Sequence, residues 1–276
     1  MTTTRILALS LASIVLIALT SPEVNAQAAR ASGAHAVAGA GAATITRSTA
    51  KPVIVLVHGA FADATGWQRV IPILEHDGYT VVAVQNSLAS LAGDVETTKR
   101  FIEAQSGPVI AVGHSYGGAV ITGAAAGNPN VKALVYLAAF APDAGEPIGA
   151  FNDQYPSALG AALRPDTAGF LFIDRGQFRD VFARDLSATQ TSVMAATQKP
   201  IHATAFGASV QQPAWKTIPS WYVVAQDDRA INPDLERFYA KRMGATTSEL
   251  KASHVVFISH ALEVARVIEK AAGAAK

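Results

Sequence analysis

An apolar run at residues 109–112 leads directly into the sequence Gly-His-Ser-Tyr-Gly at residues 113–117, and a helix rich in small residues is predicted to follow. A serine flanked by glycines between a buried strand and a helix is typical of a sharp, strained turn that exposes the serine side chain. Glycine two places on either side lets the strand and helix backbones approach that turn closely. The pattern therefore predicts Ser115 as a nucleophile at the carboxyl end of a central strand.

Strand and helix patterns alternate on both sides of this turn. The run Val53–Val57 is continuously apolar and mostly β-branched, as expected of a strand that is buried on both faces of a parallel sheet. Further strands are predicted at residues 80–84, 109–112, 133–137, 221–225 and 249–251. The alternation predicts an α/β fold with a mostly parallel, doubly wound sheet of about six strands.

The alternation lapses between the fourth and fifth predicted strands. Residues 140–218 contain scattered aromatics, several prolines and two predicted helices, Gln177–Asp185 and Ala188–Gln198. A connection of roughly 80 residues is far longer than an ordinary loop. We expect an inserted cap that covers the carboxyl edge of the sheet, within one domain over residues 51–276.

The first 50 residues have the pattern of an export signal followed by a leader. Arg5 precedes the uncharged apolar run Ile6–Leu19, and Val24–Ala26 gives a small-x-small cleavage pattern. Residues 1–26 are therefore predicted to be a signal peptide, and residues 27–50, rich in Ala, Gly, Ser and Thr, a flexible leader. We expect a periplasmic or secreted protein without a membrane anchor after cleavage.

Composition excludes several other classes of function. The chain has no cysteine, which rules out disulfides, a thiol nucleophile and cysteine-based zinc sites. Its net charge is +1, whereas binding to nucleic acid needs a concentrated basic face. We predict that the chain needs no cofactor and no metal, and that its partner is a small molecule.

A serine hydroxyl is a poor nucleophile until a base removes its proton. The predicted base is His254, which follows the last strand, whereas His260 is expected to begin the terminal helix and point away. A carboxylate should orient this histidine. After the fifth strand the local sequence favours Asp228 over Asp227, and Asp143, after the fourth strand, is a further alternative.

Attack by a serine on a carbonyl also needs two backbone N–H groups aimed at the developing negative oxygen. One is predicted to belong to Tyr116, the residue after the nucleophile. The other is predicted to belong to Ala60, because the loops after strands one and three should flank the switch point where ligands bind. His58 is expected to fix the first of these loops rather than to take part in catalysis.

Five short segments match a known family: His58–Phe61, Trp67, Gly113–Ala119, Asp227–Ile231 and Ser253–His254. Together they resemble the α/β-hydrolase family, and more narrowly its branch of plant methyl-ester esterases and hydroxynitrile lyases with their bacterial relatives. The resemblance implies the α/β-hydrolase fold with an inserted cap, a cofactor-free Ser-His-Asp mechanism with Asp228 as the acid, and a small apolar pocket between core and cap.

Two positions depart from the lyases of that branch. The lyases place a lysine directly after the catalytic histidine to handle cyanide, where this chain has Val255, and a threonine where this chain has Gly59. We therefore expect a serine esterase that cleaves a small, largely apolar carboxylic ester. The alternatives are lactone, amide or C–C bond hydrolysis on the same triad, or a non-catalytic protein that binds a small apolar ligand.

The signal pattern predicts that the exported protein starts at Gln27. Intact mass or amino-terminal sequencing of protein recovered from the periplasm or the medium measures this start directly. A chain that still begins at Met1 in those fractions would contradict both the cleavage site and the expected compartment.

Overall fold

The part of the chain that the computed structural model describes, residues 51–274, contains two β-sheets. In chain order the strands are β1 (Val53–Val57), β2 (Val81–Val84), β3 (Val109–His114), β4 (Val131–Leu137), β5 (Leu163–Pro165), β6 (Phe170–Ile173), β7 (Ile201–His202), β8 (Ser220–Ala225) and β9 (Thr246–Leu250). Six of them form a parallel sheet in the order β2-β1-β3-β4-β8-β9, and β5, β6 and β7 form a small antiparallel sheet. The large sheet confirms the predicted parallel α/β fold. The predicted signal peptide and leader lie outside the described residues.

Helices connect the strands of the large sheet, and further, mostly short helices lie in the segment between β4 and β8. They are α1 (Ile71–His76), α2 (Leu91–Glu103), α3 (Tyr116–Ala124), α4 (Leu159–Ala162), α5 (Phe178–Phe182), α6 (Ala188–Thr197), α7 (Thr204–Gly207), α8 (Pro233–Arg242), α9 (Val256–Ser259) and α10 (Ala261–Ala274), with short 3-10 helices at Ala64–Arg69 and Ala214–Lys216. Within residues 51–274, none of these helices has both the length and the apolar character needed to cross a membrane.

The strand order explains where the loops of the site come together. β1 lies between β2 and β3, so its two neighbours pair with it on opposite sides. Val57 at the end of β1 is in register with both Val84 of β2 and Gly113 of β3. The chain therefore leaves β1 and β3 side by side at the carboxyl edge of the sheet, which is the switch point expected to bind ligands.

The long segment between β4 and β8 has more regular structure than its sequence pattern indicates. The two helices predicted there correspond to α5 and α6. The small sheet of β5, β6 and β7 was not predicted, because strands of two to four residues are too short to show an alternating pattern. Their pairing joins β7 to β6 across about 30 positions of the sequence, as in the pair Phe170 and His202.

Trp67 packs at the base of the loop after β1 and offers a test of the core. It is fully buried, and its ring centroid lies 4.3 Å from that of Phe257 in α9. We expect Trp67→Ala to lower the free energy of unfolding by about 3–5 kcal/mol, because it removes a large buried side chain and leaves a cavity. Urea denaturation followed by circular dichroism measures the change.

The matched control is Leu262→Ala on α10, where the side chain is 48 % exposed. That variant should stay within about 0.5 kcal/mol of the parent chain. Equal effects of the two substitutions would contradict the position of Trp67 in the core.

Candidate active site

Ser115 lies in the tight turn between β3 and α3. Its backbone angles are φ 54° and ψ −124°, a region that non-glycine residues rarely adopt. The turn is held by three backbone hydrogen bonds: Ser115 N–H donates to the Leu137 carbonyl at 3.2 Å, and the Ser115 carbonyl accepts from Gly118 at 3.0 Å and Phe140 at 3.1 Å. The predicted strained turn is therefore fixed from both β4 and α3.

Glycines allow three backbone segments to meet at this turn. A Cβ atom at Gly117 would lie 2.5 Å from the Val57 carbonyl oxygen, and one at Gly113 would lie 2.5 Å from the Gly117 carbonyl oxygen. A Cβ atom at Gly59 would lie 2.7 Å from the Cβ of Ser115. All three distances are too short for any side chain, so the serine turn depends on the absence of side chains around it.

Asp228 and His254 form a buried pair at the same edge of the sheet. His254 Nδ1 donates to Asp228 Oδ2 at 2.6 Å, and Asp228 Oδ1 accepts the backbone N–H groups of Ala230 at 2.7 Å and Ile231 at 3.0 Å. Three donors favour the ionised form of Asp228. The carboxylate keeps the imidazole hydrogen on Nδ1, which leaves Nε2 free to accept a proton.

Ser115, Asp228 and His254 follow β3, β8 and β9, whose carboxyl ends share one edge of the sheet. The ring centroids of His254 and His114, the residue before the serine, are 4.6 Å apart, so the imidazole lies against the serine turn. Within residues 51–274 no hydrogen bond joins the Ser115 hydroxyl to His254. This bond is often long in enzymes without substrate.

The backbone amides of Ala60 and Tyr116 lie in the loops after β1 and β3, as their sequence positions require. Within the described part of the chain, neither N–H group has an acceptor.

The Tyr116 side chain turns away from this edge: its hydroxyl donates to Asp94 Oδ2 at 2.9 Å. Burial, followed by the charge of Asp94, raises the pKa of Tyr116 well above its ordinary value, so the phenol is neutral. Tyr116 can therefore contribute to the site through its amide.

His58 fixes the loop after β1. Its Nδ1 donates to the Gly59 carbonyl at 2.9 Å, and its Nε2 accepts the backbone N–H of Asn86 at 3.1 Å. Burial lowers the pKa of His58, and a neutral ring is what this combination of donor and acceptor requires. Both ring nitrogens are engaged with the backbone, in keeping with the structural role expected for this residue.

The other candidate acids and the other candidate base lie away from the pair. Asp227 has an exposed side chain, and its backbone N–H donates to the Ala252 carbonyl. Asp143 forms an ion pair with Lys216 at 2.5 Å. His260 Nδ1 lies 3.0 Å from the hydroxyl of its neighbour Ser259. Of the residues considered from the sequence, the structure places only Asp228 against His254.

His114 was not identified from the sequence as a residue of the site. Its Nε2 donates to the backbone carbonyl of His254 at 3.0 Å, and its ring centroid lies 4.6 Å from that of Phe257, with the two rings tilted by 53°. Complete burial, followed by the nearby His254, lowers the pKa of His114 well below its ordinary value. The neutral ring therefore ties the loop of His254 to the residue next to Ser115. Only its place in the Gly-His-Ser-Tyr-Gly sequence could have indicated this.

The segment between β4 and β8 contacts the residues that flank Asp228 and His254. The Asp185 carboxylate accepts the backbone N–H of Ser253 at 2.9 Å and also its hydroxyl hydrogen. The Asp180 carboxylate accepts from Nη1 of Arg229, with both oxygens at 2.7 Å. Asp180 within α5 and Asp185 after it thus touch the residue after Asp228 and the residue before His254.

Two cavities of about 400 Å³ each are lined by this segment, and neither is lined by Ser115, Asp228 or His254. Apolar walls of the first are formed by Phe61, Val193, Met194 and Ile258. Apolar walls of the second are formed by Phe140, Leu159, Leu163, Leu171 and Phe206. Each cavity has one carboxylate in its lining, Asp63 or Asp153, and neither is lined by a lysine or an arginine.

Comparisons with known proteins agree with the geometry. The model of the alpha/beta hydrolase family matches residues 54–267. The alpha/beta hydrolase nvfD of Aspergillus novofumigatus is 27% identical over 251 residues, which cover 82% of this chain and 98% of that protein. The alpha-hydroxynitrile lyase of Arabidopsis thaliana is 36% identical over 123 residues, which cover 38% of this chain and 48% of the lyase. A pyrethroid hydrolase from Sphingobium faniae, solved by crystallography, has a TM-score of 0.69 at 24% identity and covers 80% of this chain and 97% of its own. The resemblance inferred from the five sequence segments is confirmed.

The contact between Asp228 and His254 makes the acid testable. We expect Asp228→Asn to reduce kcat by about 10⁴-fold against p-nitrophenyl butyrate, because the amide favours the wrong imidazole tautomer. Asp227→Asn and Asp143→Asn, which remove carboxylates without a contact to His254, should stay within about tenfold of the parent. Circular dichroism checks that all three variants fold. If Asp143→Asn were inactive and Asp228→Asn active, the acid of the site would be Asp143, after β4, and the assignment of Asp228 would be wrong.

Proposed function

The chain belongs to the alpha/beta hydrolase family, and from that membership we propose that it hydrolyses small, largely apolar carboxylic esters through Ser115, His254 and Asp228. The observation that carries the proposal is the buried 2.6 Å contact between His254 Nδ1 and Asp228 Oδ2 beside the strained serine. A serine, a base that it can reach and a carboxylate that orients the base are the parts of nucleophilic acyl transfer.

In the proposed reaction, Ser115 Oγ attacks the ester carbonyl while His254 Nε2 takes the hydroxyl proton. The Ala60 and Tyr116 amides donate to the oxygen that becomes negative, and loss of one such donor typically costs about 10²–10³ in kcat. His254 then returns the proton to the leaving alcohol. Water attacks the acyl-enzyme with the same base, which releases the carboxylic acid and restores the serine.

Two residues favour ester hydrolysis over cyanohydrin cleavage. Val255, directly after His254, is buried and apolar, so the position holds no cation for a leaving cyanide. Gly59 lies so close to Ser115 that a larger residue would crowd the serine. The alpha-hydroxynitrile lyase of Arabidopsis is a relative by sequence, and these positions are where we propose that this chain differs in chemistry.

The two cavities adjoin the site through Phe61, next to Ala60, and Phe140, whose N–H donates to the Ser115 carbonyl, and their linings favour an uncharged substrate although neither includes Ser115, Asp228 or His254. Their walls are mainly apolar, and the charged side chains that line them are the carboxylates of Asp63 and Asp153. An anionic ester would meet negative charge and no lysine or arginine there, whereas a neutral apolar ester loses little on leaving water. We also propose that the enzyme acts in the periplasm or outside the cell, on the strength of the export pattern at residues 1–26.

Nucleophilic catalysis through Ser115 predicts a covalent acyl-enzyme. A fluorophosphonate probe should add once per chain, on the peptide that contains Ser115, as read by mass spectrometry. Ser115→Ala should abolish both labelling and hydrolysis of p-nitrophenyl butyrate, and His254→Ala should nearly abolish them because the hydroxyl is then not activated. The double variant should be about as inactive as either single variant, since the two residues act as one unit.

Ser248→Ala, on β9 and outside the site, is the matched control and should label and turn over like the parent. Ser115→Ala should still bind apolar esters, because the cavities do not depend on its hydroxyl. Wild-type turnover in Ser115→Ala, or labelling of another serine, would refute the proposed mechanism and favour the non-catalytic binding protein.

A further inference from the structure

Glu236 is a buried carboxyl group on α8 that the proposed reaction does not use. Its side chain is fully buried. Oε2 accepts the backbone N–H of Ala225 at 2.9 Å, at the carboxyl end of β8, and within residues 51–274 no donor reaches Oε1. An ionised carboxylate with one donor is costly at such a site, because burial disfavours the charged form.

Asp228 adjoins this carboxyl group: Ala225, which donates its N–H to Glu236 Oε2 at 2.9 Å, accepts the backbone N–H of Asp228 at 3.1 Å, and the charge of Asp228 acts on Glu236. Two ionised carboxylates have only acceptors, so a bond between them requires that one of them carry a proton. Asp228 already accepts from His254 and from two backbone amides, whereas Glu236 accepts from Ala225 alone. The donors stabilise the charge on Asp228, so the proton belongs on Glu236.

We propose that Glu236 is a positioning residue that stays protonated and donates a hydrogen bond to Asp228, so that the pair presents one negative charge to His254. The proposal deepens the proposed function, since it rests on Asp228 and His254 acting as acid and base. Glu236 touches neither the serine nor a substrate, so its effect reaches the reaction through the orientation and charge of Asp228.

The remaining groups around Glu236 are compatible with a neutral carboxyl group. Burial, followed by the charge of Asp228, raises the pKa of Glu236 well above its ordinary value. Tyr222, on β8, is also kept neutral, since burial raises its pKa. Arg237, the next residue on α8, forms surface ion pairs with Asp234 and Glu249. The positive charge of Arg237 is therefore already paired with the carboxylates of Asp234 and Glu249.

The proton on Glu236 sets the charge that the imidazole experiences. One carboxylate matches the single positive charge that forms on His254 during catalysis. Two buried carboxylates would stabilise the imidazolium further and raise the pKa of the ring, so that the base would be blocked by its own proton at neutral pH. A neutral Glu236 fixes Asp228 without adding that second charge.

Glu236→Gln tests the protonation state. The amide can accept from Ala225 through its oxygen and donate to Asp228 through its nitrogen, without a change in charge if Glu236 is neutral. We expect kcat to stay within about threefold of the parent value. The acid limb of the kcat/KM profile reports the imidazole of the free enzyme, and we expect it to move by less than about 0.3 pH unit. An ionised Glu236 predicts a different outcome, because the substitution would then remove a buried negative charge and shift the limb to lower pH by about one unit or more. That shift would overturn the proposal.

Glu236→Leu tests the hydrogen bond itself. Without its donor Asp228 becomes more basic, so we expect kcat to fall by more than about tenfold with little change in KM, and the acid limb to move to higher pH. Glu263→Gln, an exposed residue on α10, is the control and should leave both quantities unchanged. If a folded Glu236→Leu variant kept the parental kcat and pH profile, the positioning role would be wrong.

Infrared spectroscopy reads the proton without turnover and decides the matter even if Glu236→Leu fails to fold. At neutral pH the difference spectrum between the parent chain and Glu236→Gln should contain the carbonyl stretch of a protonated carboxyl group, shifted in heavy water. If this band is missing while the parent chain has esterase activity, the proposed protonation of Glu236 is wrong and the proposed function is unaffected. A parent chain without esterase activity would instead refute the proposed function, and with it the positioning role.

Discussion

The strained backbone of Ser115 is the constraint around which the site is built. A residue in this region of φ and ψ costs about 1–3 kcal/mol and persists only where its surroundings impose it. Here the serine carbonyl accepts hydrogen bonds from α3 and from Phe140, just after β4, and the glycines at 113 and 117 let the helix and β1 approach. The residues on either side of the serine in this turn are His114, whose ring contacts that of His254, and Tyr116, whose amide is the predicted oxyanion donor. Loosening the turn would disturb the proposed nucleophile, a predicted oxyanion donor and the support of His254 together.

Control of charge is the second requirement of so buried a site. His58 and His114 are both neutral, since burial lowers the pKa of each ring. Each uses its remaining N–H to hold a loop by a backbone carbonyl. Asp228 is the carboxylate with enough donors to remain ionised in this environment. The imidazolium that forms in the proposed reaction therefore meets one fixed negative charge, in a medium where water screens little.

Local patterns in the sequence were sufficient to predict the sheet and the serine turn. Buried parallel strands are continuous apolar runs, and a serine between glycines after such a run leaves few other conformations open. His254 and Asp228 could be placed because each follows a strand whose position in the sheet is set by that pattern.

The contacts that could not be predicted join residues distant in the sequence. The Tyr116 hydroxyl forms a hydrogen bond with Asp94, 22 positions away in the sequence, and the His114 ring forms one with the backbone of His254, 140 positions away. Glu236 looks, from the sequence alone, like an ordinary helix glutamate between surface charges. Its burial depends on how α8 packs against β8, which no local pattern encodes. The short strands of the small sheet are likewise defined only by their pairing.

Access to the serine depends on the same segment that supports the triad. Ser115 is 6 % exposed and His254 1 %, and the Phe182 ring of α5 lies 4.9 Å from that of His254. For the proposed ester to reach the hydroxyl, side chains of this segment that cover His254, such as Phe182, would have to move. The ion pair between Asp180 and Arg229 resists that movement weakly, since both side chains are largely in water and such pairs contribute about 0–1 kcal/mol. The stronger restraint is the contact between Asp185 and the buried Ser253. Because this contact anchors the residues that follow α5 beside His254, movement that admits the proposed substrate is easiest if it leaves this contact intact.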